Sequence, residues 1–201
     1  MNLQSLFHAP TYRLTSATLV VLVALAWSTP AFCGPIHDAV YSNDLEKVKA
    51  LLKGDPGLVF SRDKNGATPL GCAVIRNHRD VAEFLLANKA DANVKLGNGW
   101  TVLHTAAQFG YKEMVKLLLA HKADVNAKDN SARTPLHFAA HLRFPLDAER
   151  DQDYPGTVEL LLAGKADVNA KTNDGLTPFN AAELGGYNEI EGLLREHGGH
   201  E

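Results

Sequence analysis

Two histidines lie at a spacing that could bind a metal ion. His137 and His141 are four residues apart, so on a helix they would share one face, as zinc ligands often do. Zinc proteases of the His-Glu-x-x-His type carry a glutamate base directly after the first histidine, but here Phe138 follows His137. The pair therefore lacks the base of a hydrolytic zinc site, and metal binding is the less favoured role.

Acidic residues occur in two arrangements that could serve acid–base chemistry. One is a segment near residues 142–155, called the insertion below, which carries Asp147, Glu149, Asp151 and Asp153. The other is a row made of Asp91, Asp124 and Asp167. A hydrolase could use the insertion as a lid, but acids in a loop are more often solvated. Since no serine–histidine–acid order, phosphate loop or paired-cysteine cluster stands out, we expect no catalytic residue, metal or cofactor.

The chain is built from copies of one unit. The motif Thr101-Val102-Leu103-His104 recurs at steps of 33, 33 and 43 residues as Thr68-Pro69-Leu70-Gly71, Thr134-Pro135-Leu136-His137 and Thr177-Pro178-Phe179-Asn180. The tail Ala123-Asp124-Val125-Asn126 recurs in the same way as Ala90-Asp91-Ala92-Asn93 and Ala166-Asp167-Val168-Asn169. A fixed period near 33 with a turn and two helices indicates a solenoid.

These residues resemble the ankyrin repeat, with its pattern Gly-x-Thr-Pro-Leu-His-x-Ala-Ala, Val-Val-x-Leu-Leu-Leu and Ala-Asp-Val-Asn. The resemblance implies an all-α solenoid of about five helix-turn-helix repeats joined by β-hairpin-like loops. It also implies that His104 and His137 make structural hydrogen bonds, and that the aspartate row belongs to turns. The predicted repeats span about 35–62, 63–95, 96–128, 129–171 and 172–199, with the ten-residue insertion inside the fourth.

Lysines form two columns at equivalent positions of successive repeats. Lys89, Lys122 and Lys165 stand where the family has a glycine at the end of the second helix. If this position needs a positive φ, each lysine costs on the order of 1 kcal/mol. The second column contains Lys95, Lys128 and Lys171. Either column could be a solvated edge, or a stripe that attracts an acidic partner.

The resemblance also implies a partner-binding surface made by the loop tips and the exposed ends of the first helices. At the matching positions this chain has Ile75, Arg76, Asn98, Trp100, Gln108, Phe109, Arg133, His141, Leu142 and Leu176. Trp100 and Phe109 are large aromatic residues at positions that we expect to be exposed, so they are candidate binding anchors. Alternatively, the two rings pack on a neighbouring repeat or on the insertion.

The first 33 residues predict a secretory signal. An apolar run from Ala17 to Trp27 follows Arg13, and the small residues Ala31 and Cys33 favour cleavage before Gly34. A retained membrane anchor would need about 20 apolar residues, more than this run supplies. A lipid on Cys33 is a third option. Residues 34–201 would then form the ankyrin-repeat domain, periplasmic or secreted and without a stable membrane anchor, with Cys72 as a buried thiol.

The expected function is therefore a non-catalytic protein–protein interaction module. Its partner would be another protein, which the lysine columns suggest is acidic. The formal net charge of −3 argues against nucleic acid as the partner, and we expect a monomer. A more specific alternative, using the same surface, is an inhibitor or stabiliser of a co-secreted enzyme or toxin.

Overall fold

The computed structural model describes residues 34–141 and 152–200, and within them it contains ten α-helices and one short 3-10 helix. The α-helices follow one another in five packed pairs. The first helices of the pairs are α1 (Pro35–Tyr41), α3 (Pro69–Ile75), α5 (Val102–Gln108), α7 (Pro135–Ala140) and α9 (Pro178–Gly185). The second helices are α2 (Leu45–Gly54), α4 (Arg79–Ala87), α6 (Lys112–Ala120), α8 (Tyr154–Ala163) and α10 (Asn188–Glu196). The 3-10 helix spans Pro56–Phe60, after α2.

A threonine determines where most first helices begin. The Thr68 hydroxyl oxygen accepts a hydrogen bond from the Gly71 N–H at 3.2 Å, and the Thr177 oxygen accepts one from the Asn180 N–H at 3.2 Å. These bonds satisfy backbone donors that the first turn of a helix leaves unpaired. Proline follows directly at Pro69, where a missing N–H costs nothing. The recurring threonine therefore starts each of these helices at the same point of its repeat, and a proline follows it in α3, α7 and α9.

The pairs stack into a solenoid with one continuous core. Each first helix packs on the first helix of the next pair, and each second helix packs on the next second helix. The buried apolar residues run from Ile36 to Leu194 without a break between repeats. Ala73 and Ala106 are fully buried on neighbouring first helices, where small side chains let the backbones approach closely. The predicted all-α ankyrin-like solenoid is thus confirmed, and Cys72 is buried in its core.

The loops between pairs are tight turns. The Leu96 N–H donates to the Trp100 carbonyl at 2.8 Å, and the Asp63 N–H donates to the Ala67 carbonyl at 2.9 Å. Gly99 has a φ of 82°, and a β-carbon there would lie 2.8 Å from the Asn130 side-chain oxygen. Glycine is required at this tip by both conformation and space. The loops close as hairpins do, but residues 34–141 and 152–200 contain no β-strand.

The lysines of the first column lie at strained turns, and asparagine side chains of the preceding repeat stabilise two of these turns. The φ angles of Lys89, Lys122 and Lys165 are 69°, 63° and 69°. The Asn93 side-chain N–H donates to the Lys122 carbonyl at 3.0 Å, and the Asn126 side chain bonds the Lys165 carbonyl at 3.1 Å. The asparagine of one repeat therefore fixes the left-handed turn of the next.

Two segments singled out in the sequence lie outside the described residues. They are the predicted signal, residues 1–33, and most of the insertion, residues 142–151. The chain continues at Gln152, and α8 packs on α7 and α6. Val158 is fully buried, so the core pattern resumes in α8. Within 34–141 and 152–200, every helix is too short or too polar to cross a bilayer.

Candidate partner-binding surface

The solenoid places the predicted partner-binding residues in two kinds of location. Loop tips carry Asn98, Trp100, Arg133 and Leu176, and the C-terminal ends of the first helices carry Ile75, Arg76, Gln108, Phe109 and His141. Leu142, also predicted, lies outside the described residues. Because neighbouring repeats stack in register, loop tips lie beside loop tips and helix ends beside helix ends.

Trp100 is half-buried, which corrects the expectation of an exposed ring. Its ring meets the Phe138 ring edge-on, with 4.5 Å between centroids, and stacks on the His104 ring at 6.0 Å. Asn98 holds the loop in place, since its side-chain oxygen accepts a hydrogen bond from the Trp100 N–H at 3.1 Å. The indole therefore joins two repeats, and only part of it is available to a partner.

Arg133 is fixed beside the same aromatic cluster. Its Nε and Nη2 lie 2.8 and 2.7 Å from the Asp129 carboxylate, and its guanidinium carbon lies 4.7 Å from the centre of the Phe138 ring. Burial alone would raise the pKa of Asp129, but hydrogen bonds from Arg133 and from the Ser131 N–H outweigh it and lower that pKa. The loop tip therefore presents an ordered, carboxylate-paired cation.

Three of the predicted residues line one cavity between the last two repeats. Arg133, His141 and Leu176 surround a cavity of about 260 Å³, together with Phe138 and Leu184. Two of its lining leucines are open to solvent, since Leu176 is 41% exposed and Leu184 is 73% exposed. The cavity thus combines exposed aliphatic groups, one phenyl ring, two imidazole rings and one fixed guanidinium.

The histidines are engaged in structural hydrogen bonds. His137 Nδ1 accepts from the Thr134 N–H at 3.1 Å, and its Nε2 donates to the Leu176 carbonyl at 3.1 Å. His104 makes the equivalent bonds within its own repeat and to Arg133. Burial lowers the pKa of both rings, which keeps them neutral. Both ring nitrogens of His137 are occupied, so the metal alternative fails for the His137–His141 pair, and no metal-binding group of three or more ligands occurs in the described part of the chain.

Phe109 is also half-buried, a second correction to the exposed-anchor hypothesis. Its ring stacks on buried Tyr111, with centroids 5.4 Å apart. The neighbouring Gln108 carbonyl accepts a hydrogen bond from the Tyr154 hydroxyl at 3.3 Å. These residues lie at the junction of α5 and α8 and do not line the cavity.

Ile75 and Arg76 form a separate patch at the end of α3. Ile75 is 39% exposed. The Arg76 guanidinium carbon lies 5.3 Å from the centre of the Tyr41 ring, a geometry in which a cation is attracted to an aromatic face. The predicted surface therefore divides into this patch, the Gln108–Phe109 junction, and the cavity with its Trp100 border.

The candidate acids hold turns and a helix end. Asp91 and Asp124 accept the N–H groups of Asn93 and Asn126, at 2.8 and 2.9 Å. Asp153 accepts the Gly156 N–H at the start of α8 and also pairs with Lys112 at 2.8 Å. The Lys112 hydrogen bond lowers the pKa of Asp153, so this acid is ionised and occupied. Asp147, Glu149 and Asp151 lie outside the described residues.

Phe138 is the residue of this surface that the sequence analysis missed. It contacts Trp100, Arg133 and the cavity. A signal was present, because the equivalent positions of the other repeats hold the smaller residues Cys72, Thr105 and Ala181. A ring at a position that otherwise takes small side chains must find space outside the core, here between the loop tips.

Comparisons with known proteins agree with this architecture. A family model described as "Ankyrin repeats (3 copies)" matches residues 27–95 and 86–150, and one described as "Ankyrin repeat" matches 132–173. The human "Ankyrin repeat domain-containing protein 13C" is 33% identical over 82 residues, which are 41% of this chain and 15% of that protein. The human "Protein phosphatase 1 regulatory subunit 27" is 35% identical over 77 residues, 38% of this chain and 49% of that one. The yeast "Probable 26S proteasome regulatory subunit p28" is 31% identical over 70 residues, 33% of this chain and 31% of that one. The chain thus spans at most about half the length of these relatives.

Proposed function

Because the chain belongs to the ankyrin-repeat family, we propose that it is a non-catalytic module that binds another protein through its loop tips and first-helix ends. The supporting observation is the position of the large apolar side chains that remain exposed to solvent. In the described residues these are Phe60, Ile75, Leu176 and Leu184. Ile75 and Leu176 are predicted partner-contacting residues, and Leu184 lines the same cavity as Leu176. Exposed aliphatic groups around a cavity are typical anchor sites for a partner.

An acidic partner is favoured by the lysine columns. Lys89, Lys122 and Lys165 are exposed and keep their side chains at positive φ. The equivalent position of the last repeat is Gly198, with a φ of 84°, so the fold accepts glycine there. Backbone strain that persists without a folding benefit indicates a role for the side chain. Like charges on successive repeats, roughly 10 Å apart and so within about one Debye length, add to one another's field.

A regulatory role is the more specific form of this function. Two of the relatives are named as regulatory subunits, one of a phosphatase and one of the proteasome. By analogy, this chain would inhibit or stabilise one enzyme or toxin by covering part of its surface. It would act as a monomer, because stacked repeats complete their own core.

We further propose that this binding takes place in the periplasm or outside the cell. The support is the order of Arg13, the apolar run 17–27 and the small residues before Gly34. The mature chain would keep neither the apolar run nor Cys33, and so no membrane anchor. Fractionation of cells that express the full chain checks this. Recovery of the protein in the cytosol with residues 1–33 intact contradicts export.

Site-specific photo-crosslinking tests the binding surface. A photoreactive amino acid in place of Leu184 should form one discrete adduct with a partner in the native compartment. The matched control is the same group at Glu83, which is exposed on the second helix α4. Adducts of equal yield from both positions would show non-specific contact and contradict the proposed surface.

Binding measurements with that partner then separate anchors from structural residues. Replacing a central anchor by alanine typically costs 2 kcal/mol or more of binding, roughly a thirtyfold loss of affinity. We expect this for Leu176→Ala and Leu184→Ala, with melting unchanged. Trp100→Ala should lower both melting and affinity, because the indole also packs on Phe138. If Trp100→Ala and Phe109→Ala lower only melting, neither ring is an anchor.

A further inference from the structure

In the first repeat, one buried acceptor has no hydrogen-bond partner within the described part of the chain. His37 is 1% exposed, and its Nε2 lies 3.1 Å from the Ala67 carbonyl oxygen. Since a carbonyl only accepts, Nε2 carries the proton and Nδ1 offers a lone pair. Among residues 34–141 and 152–200, no group donates to that Nδ1. A buried acceptor without a donor is rare in folded proteins and calls for an explanation.

The later repeats show which donor normally fills this place. His104 Nδ1 accepts from the Thr101 N–H at 3.1 Å and lies 2.9 Å from the Thr101 hydroxyl. In the last repeat Asn180 takes the histidine's place, and its side-chain oxygen accepts from Thr177 in the same way. In each case the donors belong to the residue that caps the first helix, three positions before the acceptor.

Gly34 occupies this capping position in the first repeat. It precedes Pro35, the first residue of α1, and a β-carbon on Gly34 would lie 3.7 Å from His37 Nδ1. Glycine has no hydroxyl to offer. The sequence Gly34-Pro35-Ile36-His37 is therefore the first copy of the Thr-Pro-Leu-His motif, with its side-chain donor missing. The compact unit also begins at Gly34.

We propose that the chain is cleaved before Gly34 and that the new α-ammonium group donates a hydrogen bond to His37 Nδ1. Hydrolysis by a peptidase adds the hydroxyl of water to the carbonyl carbon before Gly34 and a proton to the Gly34 nitrogen. That nitrogen takes a second proton from solution, because an α-amine has a pKa near 7.7–8.0. The inference rests on the proposed export, and it assigns a structural consequence to the cut.

The ammonium suits the site better than a peptide N–H does. It carries three N–H groups that rotate about the N–Cα bond, so one can point at the ring, whereas a peptide N–H has a fixed direction. A hydrogen bond from a charged donor is also stronger than one from a neutral donor. The opposing effect is a cation at a helix N-terminus, which Asp38 in the first turn of α1 offsets.

The test compares two chains that begin at Gly34, one with a free α-amine and one acetylated only there. The free amine should raise Tm by roughly 2–4 °C and slow amide hydrogen exchange in α1. Both effects should vanish in His37→Gln, because glutamine can still donate to the Ala67 carbonyl but has no acceptor in the place of Nδ1. Equal Tm for the two chains, or a difference that persists in His37→Gln, overturns the hydrogen bond.

Sequencing the N-terminus of the exported protein tests the cleavage itself. Gly34 is the expected first residue, and any other start overturns the proposal. Neither measurement involves a partner, so a failure to find one leaves this inference untouched. Conversely, a cytosolic chain that retains residues 1–33 would refute the export on which the inference rests.

Discussion

At the scale of single residues, the first lysine column tests whether backbone strain is retained because the lysine side chain has a function. Lys122 has a φ of 63°, a conformation that costs a side-chain-bearing residue about 1 kcal/mol more than glycine. Lys122→Gly should therefore raise the free energy of unfolding by about 1 kcal/mol, measured by urea denaturation. The control Lys122→Ala keeps the β-carbon and should give no gain. Equal stability of the two variants would show that the turn is not strained.

The buried histidines make stability depend on pH. Burial holds the pKa of His104 and of His137 below the ordinary value of 6.5, so the unfolded chain takes up protons first as pH falls. The folded state therefore keeps its full stability above about pH 6.5 and loses it below. Below about pH 6.5, each of the two histidines lowers the free energy of unfolding by up to about 1.4 kcal/mol for each pH unit. Denaturation between pH 7 and pH 5 should show this decline.

The fifth repeat supplies the control for this pH dependence. Asn180 accepts the same bond from the Thr177 N–H, at 3.0 Å, and does not titrate. His104→Asn combined with His137→Asn should therefore flatten the decline between pH 7 and pH 5, even if it lowers stability overall. A decline that survives the double substitution would assign it to other groups. Asp129 is not among them, because its lowered carboxyl pKa acts at more acidic pH.

The outcome at Trp100 shows what the repeat pattern can predict about a residue. The pattern placed Trp100 at a loop tip and marked it as unusual. It left open whether the ring is exposed or packs on a neighbouring repeat, and the structure shows the second, because the contacting ring of Phe138 belongs to the next repeat and replaces a small residue there. Only the stacking distance and the direction of both rings decide that contact. His104 and His137 were simpler, since the threonine that donates to each ring recurs at the same position of the second to fifth repeats.

Among the elements, the start of α8 depends on one aspartate with two partners. Asp153 accepts the Gly156 N–H at 2.7 Å and pairs with Lys112. Asp153→Ala should cost about 1 kcal/mol of unfolding free energy, the usual value of a helix cap. Lys112→Gln removes only a half-exposed ion pair, which contributes little. Urea denaturation should therefore rank Asp153→Ala as the more damaging variant. The reverse order would make the ion pair the main contribution.

Helix starts were the most predictable part of the elements. Thr-Pro specifies a cap and a first helical residue by chemistry alone, and α3, α7 and α9 begin at that proline. The start of α1 was harder to predict, because Gly34 replaces the threonine and only Pro35 remains of the Thr-Pro motif. The loops were predicted as β-hairpin-like, and each is closed by its own turn hydrogen bonds. The Asn98 and Ser131 carbonyls also accept hydrogen bonds from Asn130 and Asn173 of the following loops. No strand ladder is needed to complete them.

For the whole molecule, the period of the sequence carries most of the information. A unit of two short helices cannot bury its apolar face alone, so copies must stack and share one core. This explains why the solenoid could be predicted from four motifs. The insertion breaks the period by ten residues, and no repeat rule says how such a segment folds. The identity of the partner cannot be predicted from the repeat pattern either, because a partner would contact the positions at which the repeats differ.

Removing the extra residues of the insertion tests whether the stack is independent of them. In the second and third repeats, three residues join the two helices, at 76–78 and 109–111. Deleting 142–151 leaves His141, Gln152 and Asp153 as a link of the same length, with the α8 cap retained. Shortening the link should lower its closure cost by about 1 kcal/mol. Helical circular dichroism and a single cooperative melting transition should therefore persist. A lost or broadened transition would show that residues 142–151 contribute to the core.

The same deletion tests the non-catalytic assignment. If the purified chain has hydrolase activity and this deletion abolishes it, the assignment is wrong.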